Sequence, residues 1–137
     1  GSEKAAQAMK DAGAKRALPL PVSIPAHSSL MSPASQRLAE RLADIDVSMP
    51  SIPVLHNCNV TVAQSPEEVK ANLVTQLDSP VRWVESVQTM HRQGISLFIE
   101  SGPGRVLGGM IKRIVREADA GCLEKPDAFS ALLVATA

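Results

Sequence analysis

The sequence predicts an α/β fold, and three features carry that expectation. Ile95 to Glu100 (ISLFIE) is a nearly continuous apolar run of strand length, as expected of a strand covered on both faces. Ser101-Gly102-Pro103-Gly104 follows as a tight turn, and Val106, Leu107, Met110, Ile111, Ile114 and Val115 then fall on one side of a helix. The composition agrees. The 137 residues are 45% apolar, but aromatics are confined to Trp83, Phe98 and Phe129, so the core must be built from Ala, Val, Leu, Ile and Met. Such a core suits helices packed on a small parallel sheet. The length buries one sizeable core and is short for two complete domains, so one globular unit is expected.

The remaining elements follow in chain order. Glu3 to Ala12 is rich in Ala, Lys, Gln and Met and meets Gly13, which reads as a helix ended by a left-handed glycine. Lys15 to Val22 alternates apolar and other residues, and its prolines confine it to an edge strand. Ser23 to Met31 has no clean period and reads as a loop. Ser32 supplies an N-cap and Pro33 a first-turn proline for a helix marked by Leu38, Leu42 and Ile45. Ile52–Leu55 and Val60–Ala63 are short and β-branched around His56-Asn57-Cys58-Asn59, hence strand, turn, strand. Ser65-Pro66-Glu67-Glu68 is a capping box opening a helix to about Leu77. Ser79-Pro80 repeats the cap for a helix whose stripe is Val81, Val84, Val87 and Met90/His91, ending at Gly94. After Cys122-Leu123, Pro126 begins a terminal helix that buries Phe129, Leu132 and Leu133.

Charge and cysteine usage bound the partners. Fourteen basic and fourteen acidic side chains give zero formal charge, so no field concentrates phosphate backbones and nucleic acid is not an expected partner. No apolar run approaches the roughly 20 residues that span a bilayer, so no membrane partner is expected. Cys58 and Cys122 lack CxxC or Cys/His ligand spacing, and a reducing cytoplasm is the simpler reading.

Few residues are candidates for chemistry. Gly102-Pro103-Gly104 after a strand could cradle a phosphate, but neither GxGxxG nor GxxxxGK[ST] is present, and the turn reads as structural, with Gly104 chosen for close backbone approach. His56 and His91 lack zinc spacing and read as solvated or capping histidines. His27 differs: it lies in a loop, follows Pro25 and is flanked by small residues that leave its ring accessible. A neutral imidazole takes a proton from a serine or thiol when a third group fixes its tautomer. Ser28 and Ser29 are adjacent but have no nucleophile elbow around them, since GxSxG occurs nowhere. A complete serine hydrolase is therefore not encoded in these residues, and a structural reading of His27 stands beside the catalytic one.

Four segments in order make a family resemblance specific: KRALPLPVSIPAHSSLM, PSIPVLHNCNV, LVTQLDSPVRWVESV and FIESGPGRVLGGMIKRI. Together they resemble the malonyl-CoA:acyl-carrier-protein transacylases of type II fatty acid synthesis, and more distantly the acyltransferase domains of polyketide and animal fatty acid synthases. The resemblance covers essentially the whole chain. It implies the C-terminal part of an α/β-hydrolase-like large subdomain, with parallel strands and flanking helices, over residues 23–137. Residues 1–22 would be the second half of a ferredoxin-like small subdomain.

By the same resemblance, His27 is the catalytic base of a Ser-His pair. The main-chain carbonyl of Gln76 orients it in place of the usual acid, and Asn57 lies near the same histidine on the substrate side. The serine elbow, the oxyanion loop and the arginine that grips the malonyl carboxylate belong to N-terminal sequence in the family. The implied partners are therefore malonyl-CoA, acyl carrier protein and the N-terminal portion of the same enzyme, with no metal or redox cofactor. Arg82, Arg105, Lys112 and Arg113 read as solvated charge or as docking points for the acidic carrier protein. This piece alone is expected to be inactive. The competing readings are a non-catalytic interaction module and a polyketide-type acyltransferase taking another acyl unit.

Overall fold

A computed structural model describes residues 2–19 and 21–124 of the chain. Helix α1 spans Ser2–Asp11, with Glu3 in its first turn and Lys10 in its last, each complementing the helix dipole. Gly13, at φ 92°, ends it, and the amides of Gly13 and Ala14 return to the carbonyls of Lys10 and Met9. No residue of α1 is buried. The expected edge strand over Lys15 to Val22 does not form: the described residues there carry no ladder bonds. Pro19 and Pro21 have no N–H to give one.

Helices α2 (Ser32–Ala43) and α3 (Pro66–Asp78) pack against each other. Ser32 is not the N-cap of α2. A 3₁₀ turn over Ser29–Met31 runs straight into the helix, Met31 takes the cap position with helical angles, and the Ser32 hydroxyl is left to bond elsewhere. The capping box of α3 forms with one change. Ser65 Oγ accepts the Glu68 amide at 3.1 Å, but Glu68 Oε2 reaches the amide of Gln64 at 2.8 Å, one residue before the N-cap.

Between these helices lies a hairpin of β1 (Leu55–His56) and β2 (Thr61–Val62), antiparallel with Leu55 opposite Val62. It is shorter than the two apolar runs suggest. Pro53 has no N–H for a ladder, and Ile52 is 75% exposed.

Helix α4 spans Trp83–Arg92 and begins three residues later than the Ser79-Pro80 cap predicts. Ser79 closes α3 in an extended conformation, φ −110° and ψ 149°. A residue before proline is driven out of the helical region, so this Ser-Pro ends one helix instead of starting the next. The buried face of α4 is Ser86 and Val87, whereas Val81 and Val84 of the expected stripe are exposed.

The second sheet is a parallel pair, β3 (Leu97–Glu100) with β4 (Asp119–Cys122), joined through α5 (Val106–Ile114). Leu97 faces Asp119 and Glu100 faces Cys122. Here sits the core: Val87, Phe98, Ile111, Val115 and Ala118, ringed by Trp83, Met90, Ile114 and Ala120. Among the described residues β3 is not covered on both faces, since Leu97 and the preceding Ile95 are exposed while Phe98 is buried. The turn after β3 holds Gly102 at φ 142° and Gly104 at φ 100°. No atom lies within 4 Å of a Cβ built on Gly104, so positive φ, not close approach, is what that position requires. The terminal helix from Pro126 lies outside the described residues. No helix among the described residues is long and apolar enough to cross a membrane.

Candidate active site

An α-helix leaves its last four carbonyls without intrahelical donors. At the end of α3 two of these meet one residue. The His27 amide donates to Leu77 O at 3.0 Å, and His27 Nδ1 lies 2.7 Å from Gln76 O. The loop is shaped to allow both bonds at once. His27 takes a left-handed φ of 59°, uncommon for a side chain with a Cβ, and Ser28 Oγ closes the turn beneath it by donating to Pro25 O at 2.7 Å.

The contact fixes the chemistry of the ring. A carbonyl oxygen only accepts, so the proton sits on Nδ1 and the neutral ring carries its lone pair on Nε2. His27 is exposed, which leaves Nε2 free to take a proton from an incoming hydroxyl or thiol. The Gln76 side chain takes no part in the bond to His27.

Asn57 is placed differently from this pair. Its carbonyl accepts the Arg82 amide at 2.8 Å, and its Oδ1 is buried with no hydrogen-bond partner among the described residues. No hydrogen bond joins it to His27 among those residues. The turn that carries it is tied down on two sides. Asn59 Nδ2 donates to Asn72 Oδ1 of α3 at 2.9 Å, and Arg82 Nη1 donates to Asn59 O at 3.2 Å. Val60, at φ 61°, is the other non-glycine residue in the left-handed region among the described residues, so both loops of interest hold costly backbone geometry.

The other two histidines, Arg82 and Lys112 make contacts within the fold. His56 is 8% exposed on β1, not solvated. His91 does not cap α4; Nδ1 lies 3.1 Å from Ile95 O and Nε2 lies 3.2 Å from Glu117, which ties the end of α4 to the residues around β3 and β4. Arg82 pairs with Glu85, and that hydrogen bonding holds the Glu85 carboxyl below the usual carboxylate range. Lys112 reaches Asp119 at 3.2 Å. The amides of Val106 and Gly108, which a phosphate would need, are taken by the Glu100 carboxylate at 3.1 and 3.0 Å.

Two contacts near His27 lie outside the sequence expectations. The Ser28 turn has a signal, a serine three residues after Pro25. The bond from Ser32 Oγ to Asp78 Oδ2, 3.2 Å long, joins residues 46 apart and has no local signal.

Comparison with known proteins bears on this geometry. No protein-family model matches the chain. It is 47% identical over 131 residues to the malonyl CoA-acyl carrier protein transacylase of Escherichia coli strain K12, a match covering 96% of this chain and 42% of that protein. The acyl-carrier-protein S-malonyltransferase of Burkholderia pseudomallei 1710b superposes with a TM-score of 0.90 at 47% identity, covering 97% of this chain and 43% of that one. A malonyl-transacylase in complex with a type II polyketide acyl-carrier protein, PlMCAT with AntF, superposes with a TM-score of 0.91 at 44% identity, over 97% and 43%. The chain thus spans about two-fifths of the length of these relatives.

Proposed function

Because the chain belongs to the malonyl-CoA:acyl-carrier-protein transacylase family over 42% of a member's length, we propose that it carries the base of that family's acyl-transfer reaction. His27 is the catalytic base and the Gln76 carbonyl its positioning group. The serine nucleophile comes from sequence outside these 137 residues, which contain no GxSxG elbow. The single observation behind this reading is the 2.7 Å contact between His27 Nδ1 and Gln76 O, which leaves Nε2 as a lone-pair base on an exposed ring.

The proposed reaction runs in two halves. His27 Nε2 takes the serine proton as the serine oxygen bonds to the malonyl thioester carbon. The carbon–sulfur bond breaks, the imidazolium returns the proton to sulfur, and free coenzyme A leaves. In the second half Nε2 takes the proton of the phosphopantetheine thiol of acyl carrier protein. Sulfur attacks the acyl ester, and the serine oxygen leaves with the proton from the imidazolium. Acyl carrier protein as acceptor is supported by the neighbour complexed with a carrier protein. The free thiols of Cys58 and Cys122 fit a cytoplasmic site of action. Residues 1–22, whose helix buries nothing, form part of a separate small subdomain in this reading. In this reading Asn57 is a substrate-binding position near His27, without a hydrogen bond to it among the described residues.

The experiment is reconstitution. The 137-residue chain is refolded with a polypeptide supplying the remaining length of the Escherichia coli relative, and radiolabelled malonyl-CoA is added. Label on serine in the mixture, with none on either piece alone, is the expected result. Turnover by the 137-residue chain alone would overturn the proposal, as would a refolded complex that never acquires label.

A further inference from the structure

We propose that Asp78 is a positioning residue for His27, acting through Ser32. This rests on the reading of His27 as a base and extends it to the segment that holds it. Three consecutive residues of α3 grip three points of the segment from His27 to Ser32. Gln76 O takes the ring, Leu77 O takes the His27 amide, and Asp78 Oδ2 accepts from Ser32 Oγ at 3.2 Å. The first two bonds act on His27 itself. The third acts at a distance, but through a stiff connection: Ser29–Met31 is a 3₁₀ turn that continues without a break into α2 at Ser32.

Two further observations support a latch over an incidental contact. Apolar anchorage of the segment is confined to the half-buried Met31, since Leu30 is 75% exposed, so hydrogen bonds carry much of its placement. Asp78 is also the wrong charge for its place. It ends α3, whose last turn holds no basic side chain, and an anion at a helix C-terminus is opposed by the dipole. A hydroxyl donating to that carboxylate offsets the opposition and makes a charge-assisted bond. Ser32 is available to do so because it does not cap its own helix.

The test reads the tautomer of His27 in the 137-residue chain by proton–nitrogen NMR of the imidazole ring, at a pH where the ring is neutral. The wild type is expected in the Nδ1–H form. Asp78→Ala and Ser32→Ala should each lose Nδ1–H population toward the Nε2–H form that unrestrained rings prefer. Asp78→Asn, which keeps an oxygen acceptor, should retain it, and the double variant should be no worse than either single one. If Asp78→Ala fails to fold, Ser32→Ala reads the same bond from its other end. A tautomer unchanged in folded Ser32→Ala, or losses that add in the double variant, overturns the latch alone. A wild-type ring already in the Nε2–H form overturns both the latch and the acyl-transfer reading.

Discussion

The carboxylate of Glu100 accepts the amide of Gly108 at 3.0 Å, so the last residue of β3 caps the helix that follows it. Its second oxygen takes the Val106 amide at 3.1 Å. No residue beside the helix start makes a side-chain cap, and the glycine turn between them folds to let the strand do it. The bond from Gly108 is the largest influence holding the Glu100 carboxyl below the usual carboxylate range; burial opposes it, and Leu107, Val106 and Arg105 add to it.

A pH dependence follows from that depression. A carboxyl with a lower pKa folded than unfolded stabilises the fold above its unfolded value and loses that contribution as pH falls through its folded value. Urea unfolding midpoints should therefore drop more steeply in acid for the wild type than for Glu100→Gln. The variant should be the less stable near neutrality, with the gap closing below the unfolded carboxyl range of about 4. Parallel curves for the two proteins would show that the cap contributes nothing.

Ser65 caps α3, the helix whose far end holds His27. Ser65→Ala should lower the unfolding free energy by about 1 kcal/mol, and Ser65→Gly by only a few tenths. Urea denaturation at neutral pH separates the two. Equal losses would mean that the side-chain bond to the Glu68 amide is not what stabilises the helix start.

Much of this architecture was readable from local chemistry, and the failures share a cause. Gly13, the Ser65 capping box and the apolar run through Phe98 each declare themselves within a few residues, and each element forms. β4 was missed because Asp119-Ala120-Gly121-Cys122 has no β-branched or aromatic residue; it is a strand because β3 lies beside it. Ser79-Pro80 carries the same local signal as Ser65-Pro66 but ends a helix, because α3 already occupies the residues before it. At the site, the pairing of His27 with the Gln76 carbonyl came from family resemblance and not from spacing, since 49 residues separate them. Ser32 with Asp78 had neither source, and only the folded chain shows it.

The helical spacing of α5 puts six apolar residues on one side, but only part of that arc is core. Ile111 is 3% exposed and belongs to the central cluster, while Val106 is 69% exposed. Ile111→Ala should cost about 2–5 kcal/mol. Val106→Ala in the same chain should stay within about 0.5 kcal/mol of wild type. Chemical denaturation of the two variants measures this directly, and a large loss at Val106 would mean that the exposed arc is covered in solution.

The proposed base, His27, and its proposed orienting group, the Gln76 carbonyl, predict opposite sensitivities to mutation, because one would act through a side chain and the other through the backbone. In an active assembly containing the serine, His27→Ala removes the proposed proton acceptor and should lower kcat by about 10²–10⁴-fold. Gln76→Ala keeps the carbonyl that accepts from Nδ1, so activity should fall by less than about tenfold, well short of a lost general base. Initial rates of malonyl transfer to carrier protein, with circular dichroism to confirm folding, distinguish the cases. A folded Gln76→Ala as inactive as His27→Ala would place the chemistry in the glutamine side chain and remove the reason for assigning tautomer control to the end of α3.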